Sequence, residues 1–398
     1  MSDPSDARFV PRSGESWRDP FRMYRALRDH DPVHEVKSEE GDYWVLSRFD
    51  DVMAAAIDAG TFSSAQGLTF TYGEMEKLGV EAPIVMMDPP DHTKLRKLAT
   101  KRFTPKQVKD VEPLIREFVL ERVLRLREMG EGDIIKELLK PLPSLVVAHS
   151  LGVPQRDRDR FDGWSDAIVS ANATGNVLSA AEAVGELFAY FNALIERRRS
   201  DPGDDMISTL VQAKLDGGDV PLAKLLGMAF TMVTGGNDTT TGLLGVACVL
   251  LSSHRDQRKL LLDDRSRIGN AVEEFLRLAS PVQGLARMTT RDVEIRGRRI
   301  PEGRKVMLLY ASGNRDEREW GANAGECDVL RRIRRHLSFS YGPHHCIGAA
   351  IARLQAGIAI ETLLEHCPDF EVDEAAARFA PGHFVRRYES LPFTAVSG

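Results

Sequence analysis

The run from Pro221 to Ser252 sets the scale of anything this chain can fold into. It is rich in Leu, Met, Ala and Val and has no proline after the first residue, a pattern that predicts one long α-helix. At 1.5 Å per residue it extends roughly 48 Å, enough to cross a whole domain. Its middle reads Thr234-Gly235-Gly236-Asn237-Asp238-Thr239-Thr240. A glycine in a helix interior costs about 1 kcal/mol relative to alanine, and Asp and Thr are poor interior formers too. A close helix crossing would explain the glycines, but not an acid and hydroxyls in an apolar helix. A local widening that admits a small ligand, with proton delivery from Asp238 and Thr239, would explain both. These residues alone leave the two readings open.

A second stretch, Phe339-Ser340-Tyr341-Gly342-Pro343-His344-His345-Cys346-Ile347-Gly348, places a cysteine after a turn. A helical pattern starts directly behind it. Backbone N–H groups and the helix dipole at such a place favour an anion and lower a thiol's pKa. A thiolate so held is a good soft metal ligand.

The 398 residues, 42% hydrophobic and 28% charged, fit an ordinary globular protein with a sizeable core. A net charge of −6 argues against nucleic acid as a partner. Four cysteines (Cys248, Cys327, Cys346, Cys367) are too few for a disulfide scaffold and fit a reducing cytoplasm. Met1 to Pro20 is polar and has no signal-peptide core. No run reaches transmembrane length without a charge or paired glycines, so no membrane partner is expected.

Helices dominate the remaining pattern. They are expected at Pro20–Asp31, from an Asp50 cap to Ala59, and at Asp91–Phe103. Thr104–Met129 follows as one helix with Thr104 as cap and Pro105 first. Pro141–Leu151, Arg156–Ala171, Ser179–Arg199, Asp256–Leu262, Ser266–Ala279 and Cys346–His366 complete the set. Strands are expected at Val33–Val36 and Tyr43–Ser47, with a hairpin of Val293–Ile295 and Lys305–Leu309. Residues 60–90 are irregular, and a loop of that length is usually functional. The fold class is mainly α with small β-sheets: one domain over 19–398 behind a flexible 1–18 segment.

Glu274 and Arg277 sit at i, i+3 on one predicted helix, a weak signal by itself. His92, Arg96, Arg287, His336 and His344 are scattered cations near turns. Taken singly each reads as a surface residue; together they suit a bound dianion. His344-His345-Cys346 and His366-Cys367 offer zinc-type ligands, but without the paired spacing such sites use.

The order and spacing of these stretches resemble the cytochrome P450 family, from about Asp19 to Pro392. Phe339, Gly342, His344, Cys346 and Gly348 fill its heme-loop pattern. Gly235-Gly236-Asn237-Asp238-Thr239 matches its central-helix motif, and Glu274 with Arg277 its Glu-x-x-Arg. The resemblance implies heme b (iron protoporphyrin IX) between the long helix and the Cys-loop helix, with Cys346 as iron ligand. It gives His92, Arg96, Arg287, His336 and His344 to the propionates, and leaves Glu274 and Arg277 structural. Two departures stand out. Ser340 replaces a common glycine. Glu326 and Cys327 stand where relatives carry Arg-Phe, leaving Arg331 or Arg332 to complete the Glu274–Arg277 network.

The implied activity is O2-dependent hydroxylation of a small lipophilic substrate such as a terpenoid, fatty acid, steroid or polyketide. Asp238 and Thr239 would deliver protons. Pocket walls fall, by resemblance, on 64–87, 165–190, Phe230, Thr231, Thr234, Gly235, Val282, Gln283, Leu285, Phe384 and Val385. No reductase domain is expected, so NAD(P)H would act through a ferredoxin with its reductase, or a flavodoxin. Lys97, Lys101, Arg102, Arg331, Arg332, Arg334, Arg335 and Arg353 would form the docking patch. The expected state is a cytoplasmic monomer. The rival reading is a non-catalytic heme sensor or electron carrier, which needs the Cys loop but not Asp238-Thr239.

Overall fold

The computed structural model describes residues 3–74, 76, 81–161, 163–164, 167 and 181–396. Leu222–Ser253 is a single α-helix, regular through Thr234–Thr240, so the expected widening does not appear as a break. The two glycines have different reasons. A Cβ on Gly236 would lie 2.5 Å from Val147 Cγ2, because the helix Pro141–Leu151 crosses there. A Cβ on Gly235 would meet nothing within 4 Å. The close helix crossing thus accounts for Gly236 and leaves Gly235 without a packing reason.

The helix joins two separate apolar clusters. Its first half gives Leu225, Met228 and Val233 to a cluster with Leu151, Phe191 and Leu210. Its second half gives Leu243, Leu244 and Ala247 to a larger one with Ile115, Phe275 and Leu363. That larger cluster is built by Glu112–Met129, Ile268–Ala279 and Ala349–His366. Residues 234–240 fall at the seam, where the helix face is not committed to core.

Several boundaries move for local reasons. Thr104 does cap, accepting from the Gln107 amide, but its helix ends at Asp110 and restarts at Glu112, where Pro113 supplies no amide hydrogen. Asp91–Ala99 tightens into a 3-10 turn at Thr100–Arg102. Arg48, not Asp50, takes the cap position of Phe49–Ile57. The expected hairpin is wrong. Val293–Ile295 pairs with Arg298–Ile300 around Arg296 and Gly297, both at positive φ, as a two-residue turn demands. Lys305–Leu308 instead lies inside a five-stranded sheet ordered Val33–Val36, Tyr43–Leu46, Lys305–Leu308, Leu285–Thr289, Phe62–Ser63. It runs parallel to Tyr43–Leu46 and antiparallel to Leu285–Thr289.

The segment expected to be flexible, 1–18, is anchored at two points. Phe9 and Trp17 are buried, and Trp17 Nε1 donates to Gly382 O at 2.7 Å. Its polar composition hid two aromatic anchors.

Beneath the large cluster, Arg277 makes two 2.7 Å bonds to Glu274, both side chains wholly buried. Arg277 also donates to Asn314 O (2.8 Å) and Ala324 O (2.6 Å). Arg331 completes the network: its Nε donates to Glu274 Oε1 at 3.3 Å, and its other nitrogens reach Trp320 O and Asn323. Arg332 is exposed. A charge-assisted bond to a buried carboxylate contributes about 2 kcal/mol. Arg331→Ala should therefore lower holoprotein stability by that order in urea titration, while Arg332→Ala leaves the midpoint unchanged. Equal effects would remove Arg331 from the network.

Candidate functional site

The Cys loop consists of two 3-10 turns, Leu337–Phe339 and Gly342–His344, leading into Ala349–His366. The Cys346 amide donates back to Phe339 O at 2.8 Å, closing the loop. Gly342 has φ +67°, and a Cβ there would lie 2.8 Å from Ala56 O and 2.9 Å from Ile57 Cα. The loop is thus pressed against the end of Phe49–Ile57, and only glycine fits. Phe339 is covered by the Arg353 guanidinium, 4.6 Å from its ring centre.

Cys346 is solvent-accessible, yet protein crowds its sulfur and desolvation pushes the thiol's pKa up. The Gly348 amide, Arg96 and Arg353 pull the other way without prevailing. The loop and helix start do not by themselves lower this thiol's pKa, because burial outweighs them.

Four of the five scattered basic residues meet. His92 and Arg96 lie one turn apart on Asp91–Ala99, Arg287 comes from Leu285–Thr289, and His344 from the Cys loop. The His92 and His344 rings are 4.2 Å apart. Ser64 Oγ bonds His344 Nε2 at 3.1 Å, and Arg96 donates to His345 O. His92 is pushed down to about 4 by burial and then by Arg96. His344 is pushed down to about 3 by burial and then by Arg287, His92 and Arg96. The nearby acid, Asp88, is engaged by Ser63 and Ser64. Buried His92 Nδ1 has no hydrogen-bond partner. An electropositive nest with an orphaned buried nitrogen suits a dianion.

His336 lies elsewhere, which corrects its expected role. It is buried, and its Nε2 faces Glu273 Oε2 at 3.2 Å. Arg353 donates to the same carboxyl at 2.6 Å. Burial pushes the Glu273 carboxyl up, but bonds from His336 and Arg353 outweigh it and hold it down to about 2. Glu273, beside the motif's Glu274, gave no sequence signal.

On the long helix, Thr239 Oγ1 donates to Gly235 O at 2.8 Å. Asp238 Oδ1 forms an ion pair with Arg387 Nε at 2.8 Å, a partner that no motif announced. The hydroxyls of Thr231 and Thr234 donate back to Gly227 O and Phe230 O. Phe230 packs edge-on to Phe188, and Phe384 tilts against Phe70. Val282 bridges Val385, and Leu285 is half-buried at its strand's start. Gln283 is not a polar handle for a ligand. It is buried, accepts from Tyr24 Oη at 3.1 Å, and donates to Ser280 O (2.6 Å) and Ala279 O (3.3 Å). Of the expected 165–190 wall, 165–166 and 168–180 lie outside the described residues, as do 75 and 77–80 of the 64–87 wall.

Among the described residues no group of three or more His, Cys, Asp or Glu side chains is placed to hold a metal ion, so the zinc reading finds no cluster. A single-cysteine loop beside a cationic nest, with an acid and an alcohol on the central helix, belongs to the heme-thiolate class. Known proteins agree. Residues 268–378 match the family model described as Cytochrome P450. The chain is 55% identical to Cytochrome P450 130 of Mycobacterium tuberculosis over 405 positions, covering 100% of each. It is 36% identical to the Vitamin D(3) 25-hydroxylase of Pseudonocardia autotrophica, over 96% of this chain and 95% of that one. The structure of the Bacillus subtilis polyketide synthase P450 PksS superposes with a TM-score of 0.90 at 31% identity, covering 98% and 100%. This chain belongs to the cytochrome P450 family, whose members are heme monooxygenases. Among the described residues no helix is long and apolar enough to cross a membrane.

Ser340, where a glycine is common, has φ +55° and ψ −171°, a region nearly reserved for glycine. Its hydroxyl recovers little, with a 3.3 Å bond to Tyr310 Oη. Ser340→Gly should stabilise the holoprotein by about 1 kcal/mol, measured by urea titration. An unchanged or lower midpoint would show that the loop carries no strain there.

Proposed function

We propose that this chain is an O2-using monooxygenase that hydroxylates a small, mostly apolar molecule, with Cys346 as the iron ligand. The observation that carries this reading is the acid–alcohol pair Asp238-Thr239 beside Gly235, whose Cα faces open space at the seam of the two cores. A carrier or sensor has no use for such a pair on a helix that otherwise selects apolar residues. His92, Arg96, Arg287 and His344 would hold the heme propionates, with His92 Nδ1 available as a donor. His336 is not in that set. Phe339 and Gly342 shape the loop, and Gly348 gives the sulfur its amide.

Heme bound in this way supplies oxygen activation, the thiolate favouring O–O cleavage. The protein's own contribution is proton management. Asp238 takes a proton from the solvent side and passes it to the Thr239 hydroxyl, which presents it on the Gly235 side of the helix. Phe230, Leu285, Val282, Phe384 and Val385 would line the cavity and exclude water. Thr231 and Thr234, whose donors are spent on their own helix, keep only acceptor capacity for a substrate. Steroid- and terpenoid-sized molecules fit the pattern of relatives. One is named for vitamin D(3), and Bacillus megaterium CYP109E1 is known in complex with testosterone.

Electrons would come from NAD(P)H through a ferredoxin and its reductase, or a flavodoxin, in the cytoplasm, with the enzyme as a monomer. The expected patch shrinks. Arg102, Arg335 and Arg353 are paired with Asp204, Glu319 and Glu273, and Arg331 with Glu274. Lys97, Lys101, Arg332 and Arg334 remain exposed. Charge reversal at Arg332 and Arg334 should raise the KM for ferredoxin about tenfold at low salt, with the difference shrinking as salt is added. A salt-independent KM would remove the patch.

The deciding experiment screens sterols, terpenoids and fatty acids for a substrate-induced spin shift, after the reduced CO spectrum is recorded. Cys346→Ser should lose the thiolate-type CO band. With a positive substrate, Thr239→Ala should divert electrons to peroxide and cut product per NADH about tenfold. Unchanged product yield would strike out the proton role.

A further inference from the structure

Behind the Cys loop one carboxylate holds two neighbours at once. Glu273 Oε1 accepts from Arg353 Nε at 2.6 Å, and Oε2 from Arg353 Nη2 at 3.0 Å. His336 Nδ1 accepts from the Ser338 amide, so the ring proton sits on Nε2, which donates to Glu273 Oε2 at 3.2 Å. Each partner governs a different side of Phe339. His336 caps the 3-10 turn Leu337–Phe339, and Phe339 O accepts from the Cys346 amide at 2.8 Å. Arg353 lays its guanidinium over the ring, 4.6 Å from the centre. Burial, which pushes the Cys346 thiol up, is opposed in part by the Arg353 charge, so that charge reaches the sulfur. An open cleft of about 170 Å³ adjoins the group, lined in part by Glu273, His336, Phe339, His345 and Arg353. The Arg353 side chain is 38% exposed and that of His336 only 4%. Released from Glu273, the guanidinium has water to turn to, and the histidine does not. The bidentate bond is what keeps the cation on the ring.

We propose that Glu273 is a positioning residue for the iron ligand: by fixing Arg353 over Phe339 it keeps a cation behind the Cys346 sulfur and restrains how much charge the thiolate gives to the iron. A cation near an electron-rich ligand favours the reduced metal. Because Glu273 acts through Arg353, the sign of its effect is inverted. A carboxylate near a redox centre by itself favours the oxidised state, so its loss raises the reduction potential. Here its loss also frees the cation, and the potential falls. The inference rests on Cys346 as the iron ligand, as proposed above.

The test is a redox titration of substrate-free holoenzyme with dithionite and mediator dyes, read from the Soret band. Arg353→Met should lower the equilibrium constant for ferric-to-ferrous reduction about fivefold. Glu273→Gln should lower it too, by about threefold, and the double variant should fall no further than Arg353→Met. Arg353→Lys, which keeps the charge but cannot make the bidentate bond, should lie between wild type and Arg353→Met. Reduced CO spectra and urea midpoints are recorded for every variant, and Glu273→Met replaces Glu273→Gln if the latter does not accumulate. A rise with Glu273→Gln, opposite to the fall with Arg353→Met, marks a plain field effect and overturns the positioning role. An unchanged constant in a folded Glu273→Gln protein overturns it as well. If the wild type itself lacks the thiolate-type CO band, the assignment of Cys346 falls and takes this inference with it.

Discussion

Two opposite charges with no access to water hold the lower half of this molecule together. Glu274 and Arg277 would each be ruinous alone at full burial, since desolvating an unpaired ion costs several kcal/mol. Paired through two parallel bonds, they still leave donors and acceptors over. Those are spent on carbonyls from 314 and 324, on the Asp328 amide and on Arg331. The long irregular stretch before the Cys loop has few strands or helices to stabilise it, and it takes its shape from these bonds. The helix Ile268–Ala279 thus serves as a template for chain that has no regular structure of its own. Through Glu273 the same helix also fixes His336 and Arg353, and so the ring of Phe339 behind the cysteine.

The long helix solves a different problem. A site for chemistry needs exposed polar groups on a rigid support, and a helix buried along its whole length offers none. Here each half is anchored in its own cluster, and the few turns between are held from both ends without being packed on every side. Gly236 lets one neighbour approach closely, and Gly242 and Gly245 admit the C-terminal segment. The penalty of poor helix formers is offset by close packing on one face, and a Cβ on Gly235 would meet nothing within 4 Å.

Much of this was legible in the sequence because the informative residues are local. The helix starts, the turn glycine at 342 and the spacing around Cys346 depend on neighbours a few positions away. The Glu-x-x-Arg pair is local too. What escaped was set by distant chain. Lys305–Leu308 prefers a parallel neighbour 262 positions earlier at Tyr43, which no local pattern encodes. Gln283 looks like a polar group in an apolar wall until Tyr24 is brought to it. Arg387 resembles any other arginine until the tail crosses Asp238. His336 sits at a motif position, yet Glu273 claims it. The thiol's raised pKa is likewise a property of the fold, since desolvation depends on everything that surrounds the sulfur.

The two ends of the chain are sewn together. Trp17 gives its ring N–H to Gly382 and its carbonyl to Arg386. Arg18 holds the carbonyls of Glu374 and Ala377. The first residues of the protein thereby brace the segment that carries Phe384, Val385 and Arg387. Trimming or tagging near residue 17, an ordinary step in preparing such a protein, reaches Phe384, Val385 and Arg387 through these bonds. A preparation shortened there would lose these bonds and loosen the segment from 374 to 387.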